Sequence, residues 1–144
     1  MINLSIIKKH EGLRLKAYIC PAGVPTIGYG STRYADGRRI QMGDVITEKE
    51  AEQMLINDVR KFEAEIIASV TIPLNDNQLS ALVSFVYNVG AFAFRKSTLR
   101  KKVNANRDDL TIKDEFMKWV RGGGKILPGL VKRRAEEAKL YFTK

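Results

Sequence analysis

Glu11, Cys20 and Thr26 are separated by eight and then five residues, and their side chains offer a carboxyl, a thiol and a hydroxyl. Glu11 falls at the end of a predicted first helix, immediately before Gly12 and facing a small predicted sheet. Unpaired carbonyls at a helix C-terminus carry partial negative charge, which disfavours a second negative charge and so favours the protonated carboxyl that a general acid needs. On position alone, a solvated surface glutamate is the simpler reading. Cys20 alone reads as a small buried apolar residue, and Thr26 alone as a β-branched residue suited to a strand. On a helix-end, hairpin-strand, next-strand arrangement the three side chains converge on one cleft.

The elements that must hold them follow from local signals. Asn3 or Ser5 caps a short helix that stops at Gly12. Between Ala17 and about Ile46 the pieces Tyr18-Ile19-Cys20, Thr26 to Tyr29 and Arg38 to Gln41 alternate with Pro21-Ala22-Gly23 and Asp36-Gly37, which predicts a small antiparallel sheet. Thr47-Glu48-Lys49-Glu50 is a capping box. It opens a helix to Val70 with Ala51, Leu55, Val59, Phe62 and Ile66 at helical spacing, spanning about 36 Å at ~1.5 Å per residue. Asn75 with Gln78 repeats the cap, and Leu79, Leu82, Val83, Phe85, Val86 and Val89 mark a buried helix. Shorter helices are predicted from Ser97, from Asp109 or Thr111 to Val120, and from Pro128 to Tyr141, with Gly122-Gly123-Gly124 as a flexible loop.

The chain has 144 residues, 44% hydrophobic and 28% charged, with a formal net charge of +9. That suits one globular domain with a real core and a polyanionic partner. Residues 1–94 hold 10 basic and 10 acidic side chains, and residues 95–144 hold 15 and 6, so the whole excess lies in the last third. One cysteine and one histidine leave no internal disulfide and no zinc-ligand set; no cofactor or metal is expected. The longest apolar stretch, Leu79 to Phe94, is interrupted by Ser84, Asn88 and Gly90, and Ile6-Ile7 runs straight into Lys8-Lys9, so neither a membrane span nor a signal peptide is expected. His10 lacks partners for a triad or a metal. Gly28-Tyr29-Gly30 lacks the third glycine of a phosphate loop and reads as backbone that lets a sugar approach. Lys132-Arg133-Arg134 reads either as a nucleic-acid stripe without a recognised module around it or as the source of an arginine near Glu11.

The spacing of the three side chains, with His10 to Tyr18 and Thr26-Ile27-Gly28-Tyr29-Gly30, resembles the tailed-phage lysozymes, the endolysins of glycoside hydrolase family 24. Their triad is Glu, eight residues, Asp or Cys, five residues, Thr. Asn75 with Gln78, Ser84-Phe85-x-Tyr87-Asn88-x-Gly90, and Gly129-Leu130-x-x-Arg133-Arg134-x-x-Glu137 extend the resemblance over essentially the whole chain. It implies an α+β, lysozyme-like, mostly helical fold in one catalytic domain. A small antiparallel-sheet lobe (about 13–60) would be joined by the long helix to a larger helical lobe (about 61–144, plus the first helix, 1–12). It also implies hydrolysis of the β-1,4 bond between N-acetylmuramic acid and N-acetylglucosamine in peptidoglycan. Glu11 would be the acid and Cys20 and Thr26 the water-holding pair, with Gly28, Tyr29, Gly30, Tyr87, Asn88, Gly90 and Arg133 at the substrate. The implied protein is a monomer without a nucleic-acid partner or stable membrane insertion, waiting in the host cytoplasm until another phage protein opens the membrane. Two alternatives stay open on composition: a catalytically weak peptidoglycan-binding module, and a basic helical nucleic-acid binder.

Overall fold

A computed structural model describes residues 2–144. Among the described residues the chain forms seven helices and two antiparallel two-stranded sheets. It gathers into two compact units, one formed by Ile7–Lys61 and the other by the segment ending at Ile6 together with Phe62–Lys144.

The contiguous unit takes in most of α1 (Ser5–Glu11), then β1 (Arg14–Ile19), β2 (Pro25–Gly28) and the first part of α2 (Glu48–Ser69). Helix α1 stops at Gly12, whose φ of +72° is the left-handed conformation that glycine adopts without a Cβ clash, and whose amide donates to the Lys8 carbonyl at 3.1 Å. Strands β1 and β2 pair with Tyr18 opposite Thr26 and Ile19 opposite Pro25. The predicted third strand at Arg38 to Gln41 is reduced to an isolated bridge between Arg33 and Arg39. Ile27, Ile40, Ile46, Ala51 and Met54 form the core of this unit, with Ala17, Tyr29 and Tyr34 packed against it. The predicted capping box starts α2: the Thr47 amide donates to Glu50 Oε1 and the Glu50 amide to Thr47 Oγ1, each at 3.1 Å. The helix has 22 residues, about 33 Å at ~1.5 Å per residue, and the boundary between the units falls inside it, after Lys61.

In the other unit α3 (Asp76–Val89) begins with the second predicted capping box, Asn75 with Gln78, and buries Ala81, Leu82, Val83, Phe85 and Val86 completely. It packs most extensively on α7 (Pro128–Tyr141). Between them in sequence come α4 (Ala91–Lys96), α5 (Thr98–Ala105), α6 (Ile112–Met117) and a short hairpin of β3 (Arg121–Gly122) and β4 (Lys125–Ile126). Helix α4 was not predicted, and of the glycine run expected to be a loop Gly122 lies in β3 while Gly123 and Gly124 form the turn of that hairpin. The Phe85 ring meets Phe94, Phe116 and Trp119 edge-on at centroid distances of 6.3, 5.7 and 5.5 Å, the offset geometry that aromatic quadrupoles favour.

The first helix divides between the units, whereas the sequence placed residues 1–12 whole in the helical lobe. Its leading segment is tied by the Asn3 amide donating to Ser80 Oγ at 2.8 Å, and its last turn by Lys8 Nζ on Glu52 Oε2 at 2.7 Å. Among the described residues no helix is long and apolar enough to cross a membrane.

Candidate active site

Glu11, Cys20 and Thr26 all lie in the contiguous unit. Glu11 is the last residue of α1 and is half-buried. After two intervening residues the chain enters β1, and at its end Cys20 opens a tight turn. The Cys20 amide donates to the Val24 carbonyl at 3.1 Å and the Gly23 amide to the Cys20 carbonyl at 2.8 Å. The chain returns as β2 with Thr26 only 3% exposed and its Oγ1 donating to the Val24 carbonyl at 2.9 Å.

The turn thus brings Cys20 and Thr26 side by side. Hydrogen bonds from the Val24 backbone and then from Thr26 hold the Cys20 thiol below the ordinary thiol range. These donors belong to the hairpin itself.

The Gly28-Tyr29-Gly30 segment is a three-residue turn closed by Ile27 and Ser31, whose amides and carbonyls exchange hydrogen bonds of 2.9 Å. Gly28 has φ +67°, and a Cβ there would lie 3.6 Å from the Ala51 and Ile46 side chains. The positive φ is what the turn asks of this glycine, since 3.6 Å is an ordinary contact distance. Tyr29 packs on the core of the unit, with Lys8 Nζ 5.8 Å from its ring centroid. Ser31, which the sequence reading passed over, is 2% exposed and donates to Asp58 Oδ2 at 2.6 Å, fastening the turn to α2. Burial pushes the Asp58 carboxyl up.

Tyr87, Asn88, Gly90 and Arg133 belong to the other unit. Tyr87 stands edge-on to Phe62 at 5.5 Å, Asn88 is exposed near the end of α3, and the Gly90 amide donates to the Val86 carbonyl at 2.8 Å before α4 begins. Arg133 and Arg134 are 3% and 0% exposed. Arg133 donates to the Ser84 carbonyl at 3.0 Å and to Glu137 Oε2 at 3.3 Å, and Arg134 Nε lies 2.7 Å from Glu137 Oε1. The nucleic-acid stripe read at Lys132-Arg133-Arg134 is therefore reduced to Lys132, because its two arginines face inward. The ion-pairing role of Glu137 has a sequence signal, the i,i+3 and i,i+4 spacing to both arginines, which was seen without being assigned a task. Among the described residues no three His, Cys, Asp or Glu side chains gather to hold a metal ion.

A helical fold with a small hairpin sheet, a carboxylic acid at a helix end and a polar pair at the hairpin turn defines a glycoside hydrolase of the lysozyme class. The phage lysozyme family model matches residues 8–137, and the chain belongs to that family. It is similar to an endolysin of Acyrthosiphon pisum secondary endosymbiont phage 1, 44% identical over 143 residues that cover 96% of this chain and 94% of the relative. Among solved structures, an endolysin from Escherichia coli O157:H7 phage FAHEc1 superposes with a TM-score of 0.87 at 40% identity, covering 96% of this chain and 89% of the other. The muramidase domain of SpmX from Asticaccaulis excentricus does so with a TM-score of 0.85 at 32% identity, covering 98% and 95%.

Proposed function

We propose that the protein is an endolysin that hydrolyses the β-1,4 bond between N-acetylmuramic acid and N-acetylglucosamine in peptidoglycan. Glu11 protonates the leaving oxygen, and a water held by Cys20 and Thr26 attacks the anomeric carbon as an oxocarbenium-like charge develops. The observation that carries this reading is the β1–β2 hairpin that follows the Glu11 helix and sets Cys20, at its turn, near the buried Thr26. An inverting course is what the resemblance to the phage lysozymes implies, since the carboxylate-separation rule needs a second carboxylate that this triad lacks. The protein acts as a monomer, without a cofactor or nucleic-acid partner. It is released to the wall from the host cytoplasm when another phage protein opens the membrane. Gly28, Tyr29, Gly30, Tyr87, Asn88, Gly90 and Arg133 are the candidates for substrate contacts.

Loss of turbidity in outer-membrane-permeabilised bacteria, together with release of reducing ends from purified wall, tests the proposal. A binding module would associate with wall without releasing reducing ends, and a nucleic-acid binder would retard DNA or RNA in a salt-dependent way and ignore the wall.

The thiol gives a more detailed expectation. Alkylation of Cys20 blocks activity, because the adduct fills the water site. Cys20→Ala loses activity, and Cys20→Asp keeps it. If the thiolate is the base, activity rises with pH as the thiol ionises, starting below the ordinary thiol range, and Cys20→Asp moves that limb down to the carboxylate range near pH ~4. Cys20→Ser separates the roles, since a hydroxyl positions water but does not ionise there. A fully active serine variant leaves positioning alone.

Wall polymers carry carboxylates, and the basic residues of the last third are suited to gather the enzyme on them. Exposed Lys101 and Lys132 are free for that task, whereas Lys102 is committed to Glu115 at 2.8 Å and to Thr111 at 3.0 Å. Replacing Lys101 and Lys132 with glutamine flattens the salt dependence of lysis, because charges near a surface act over a Debye length of about 8 Å at physiological ionic strength. An unchanged salt profile removes these two lysines from wall docking.

A further inference from the structure

The β1–β2 hairpin places a cation beside the candidate site for which the reading above has no task. Arg14 is in register with Gly28 and Tyr18 with Thr26. Four steps along β1 therefore match two along β2, and β1 carries two extra residues between these pairs. The backbone of that stretch is taken up elsewhere. The Ala17 amide donates to the Asp44 carbonyl at 3.0 Å, the Ile46 amide donates to the Leu15 carbonyl at 2.9 Å, and Lys16 bridges to Val45.

Such an irregularity bends a strand and re-aims its side chains. Four residues of straight strand would separate Arg14 from Tyr18 by about 13 Å, yet the Arg14 guanidinium carbon lies 4.7 Å from the centre of the Tyr18 ring. Residues directly opposite in an antiparallel pair share a face, so Tyr18 stands beside Thr26, which Cys20 also reaches. Opposite Arg14 is Gly28, which presents no side chain to compete for the space. Two other cations of this unit are tied to acids, Lys8 to Glu52 and Arg38 to Asp36. Among the described residues Arg14 has the Tyr18 ring and no carboxylate partner.

We propose that Arg14 is a specificity-determining residue that binds a carboxylate of the peptide stem carried by the muramyl sugar at the cleaved bond. The proposal rests on Glu11, Cys20 and Thr26 being the hydrolytic site. Stacking engages the flat face of a guanidinium and leaves its N–H edge free for a two-pronged hydrogen bond to a carboxylate. The ring holds the fork in place before substrate arrives, so less side-chain freedom is lost on binding. Arg14 is exposed, so it meets substrate without a prior ion pair to break.

The test uses purified sacculi with free stem carboxylates and the same sacculi amidated with carbodiimide and ammonia, following reducing-end release. The parent enzyme is expected to lose about tenfold in kcat/KM on amidation, chiefly through KM. At an ionic strength that screens the docking lysines, Arg14→Gln shows a similar loss on native sacculi and is indifferent to amidation, within about twofold. Arg14→Lys, which keeps the charge but not the planar fork, recovers only part of the loss. If Arg14→Gln responds to amidation as the parent does, the effect is the general positive charge of the protein and the proposal is overturned. Equal slowing on both substrates overturns it as well, by making Arg14 a structural residue. A parent enzyme that releases no reducing ends from either substrate sinks the hydrolytic reading first, and this proposal with it.

Discussion

Glu11→Gln is expected to abolish lysis while leaving the melting temperature within experimental error of the parent. Glutamine matches glutamate in shape and still accepts and donates hydrogen bonds, so the end of α1 and the Gly12 turn keep their packing. What is lost is the proton that must reach the glycosidic oxygen as the bond breaks. General acid catalysis contributes about 10²–10⁴-fold, so reducing-end release should fall by at least about a hundredfold. If the variant melts like the parent and still clears permeabilised cells within about tenfold of its rate, Glu11 is not the acid.

The largest effect on stability is expected at Glu137, whose side chain is 0% exposed between two buried arginines. Burial pushes its carboxyl up from the usual range, and Arg134, Ser84 and Arg133 pull it back. Arg134 also lies over the Phe85 ring at 5.0 Å, so the network is embedded in the α3–α7 packing. Glu137→Ala removes the buried carboxylate that both guanidinium groups face, and breaking a buried pair in this way costs about 3–5 kcal/mol. For a chain of this size each kcal/mol moves the midpoint by roughly 2–8 °C, so a fall of about 10 °C or more is expected by calorimetry. A triple variant, Arg133→Met, Arg134→Met and Glu137→Leu, removes all three charges together and should recover most of that loss. A Glu137→Ala midpoint within about 3 °C of the parent would show that water reaches the network and screens it.

Much of this frame is written locally in the chain. Both capping boxes, the glycine stop after Glu11 and the proline at the start of α7 are signals confined to a few neighbouring residues, and each starts or ends an element as read. Helix α4 escaped because Ala91–Lys96 is short and follows Gly90 directly, so no cap or spacing separates it from α3. The strand expected at Arg38 to Gln41 contributes only one bridge, since its pattern says nothing of which partner is available. Arg133 and Arg134 looked like surface charge because the group that draws Arg133 inward, the Ser84 carbonyl, lies 49 residues earlier. At the site, the spacing of Glu11, Cys20 and Thr26 was readable, but the direction in which Cys20 ionises was not. That direction comes from the turn's own hydrogen bonds, and these exist only once the hairpin has closed.

One unit is an uninterrupted stretch of chain and the other is not, which bears on how the protein comes off the ribosome. Residues Ile7–Lys61 hold their own core and can fold as soon as they clear the exit tunnel, since units generally fold as they emerge. The other unit must wait for α7, because α3 packs mainly on that last helix and buries its polar Ser84 against Arg133 and Glu137. Until then the apolar side of α3, with Phe85 and Leu82, stays uncovered on the nascent chain. That interval is when chaperone binding or aggregation competes with maturation, and slowed translation between α3 and α7 would lengthen it.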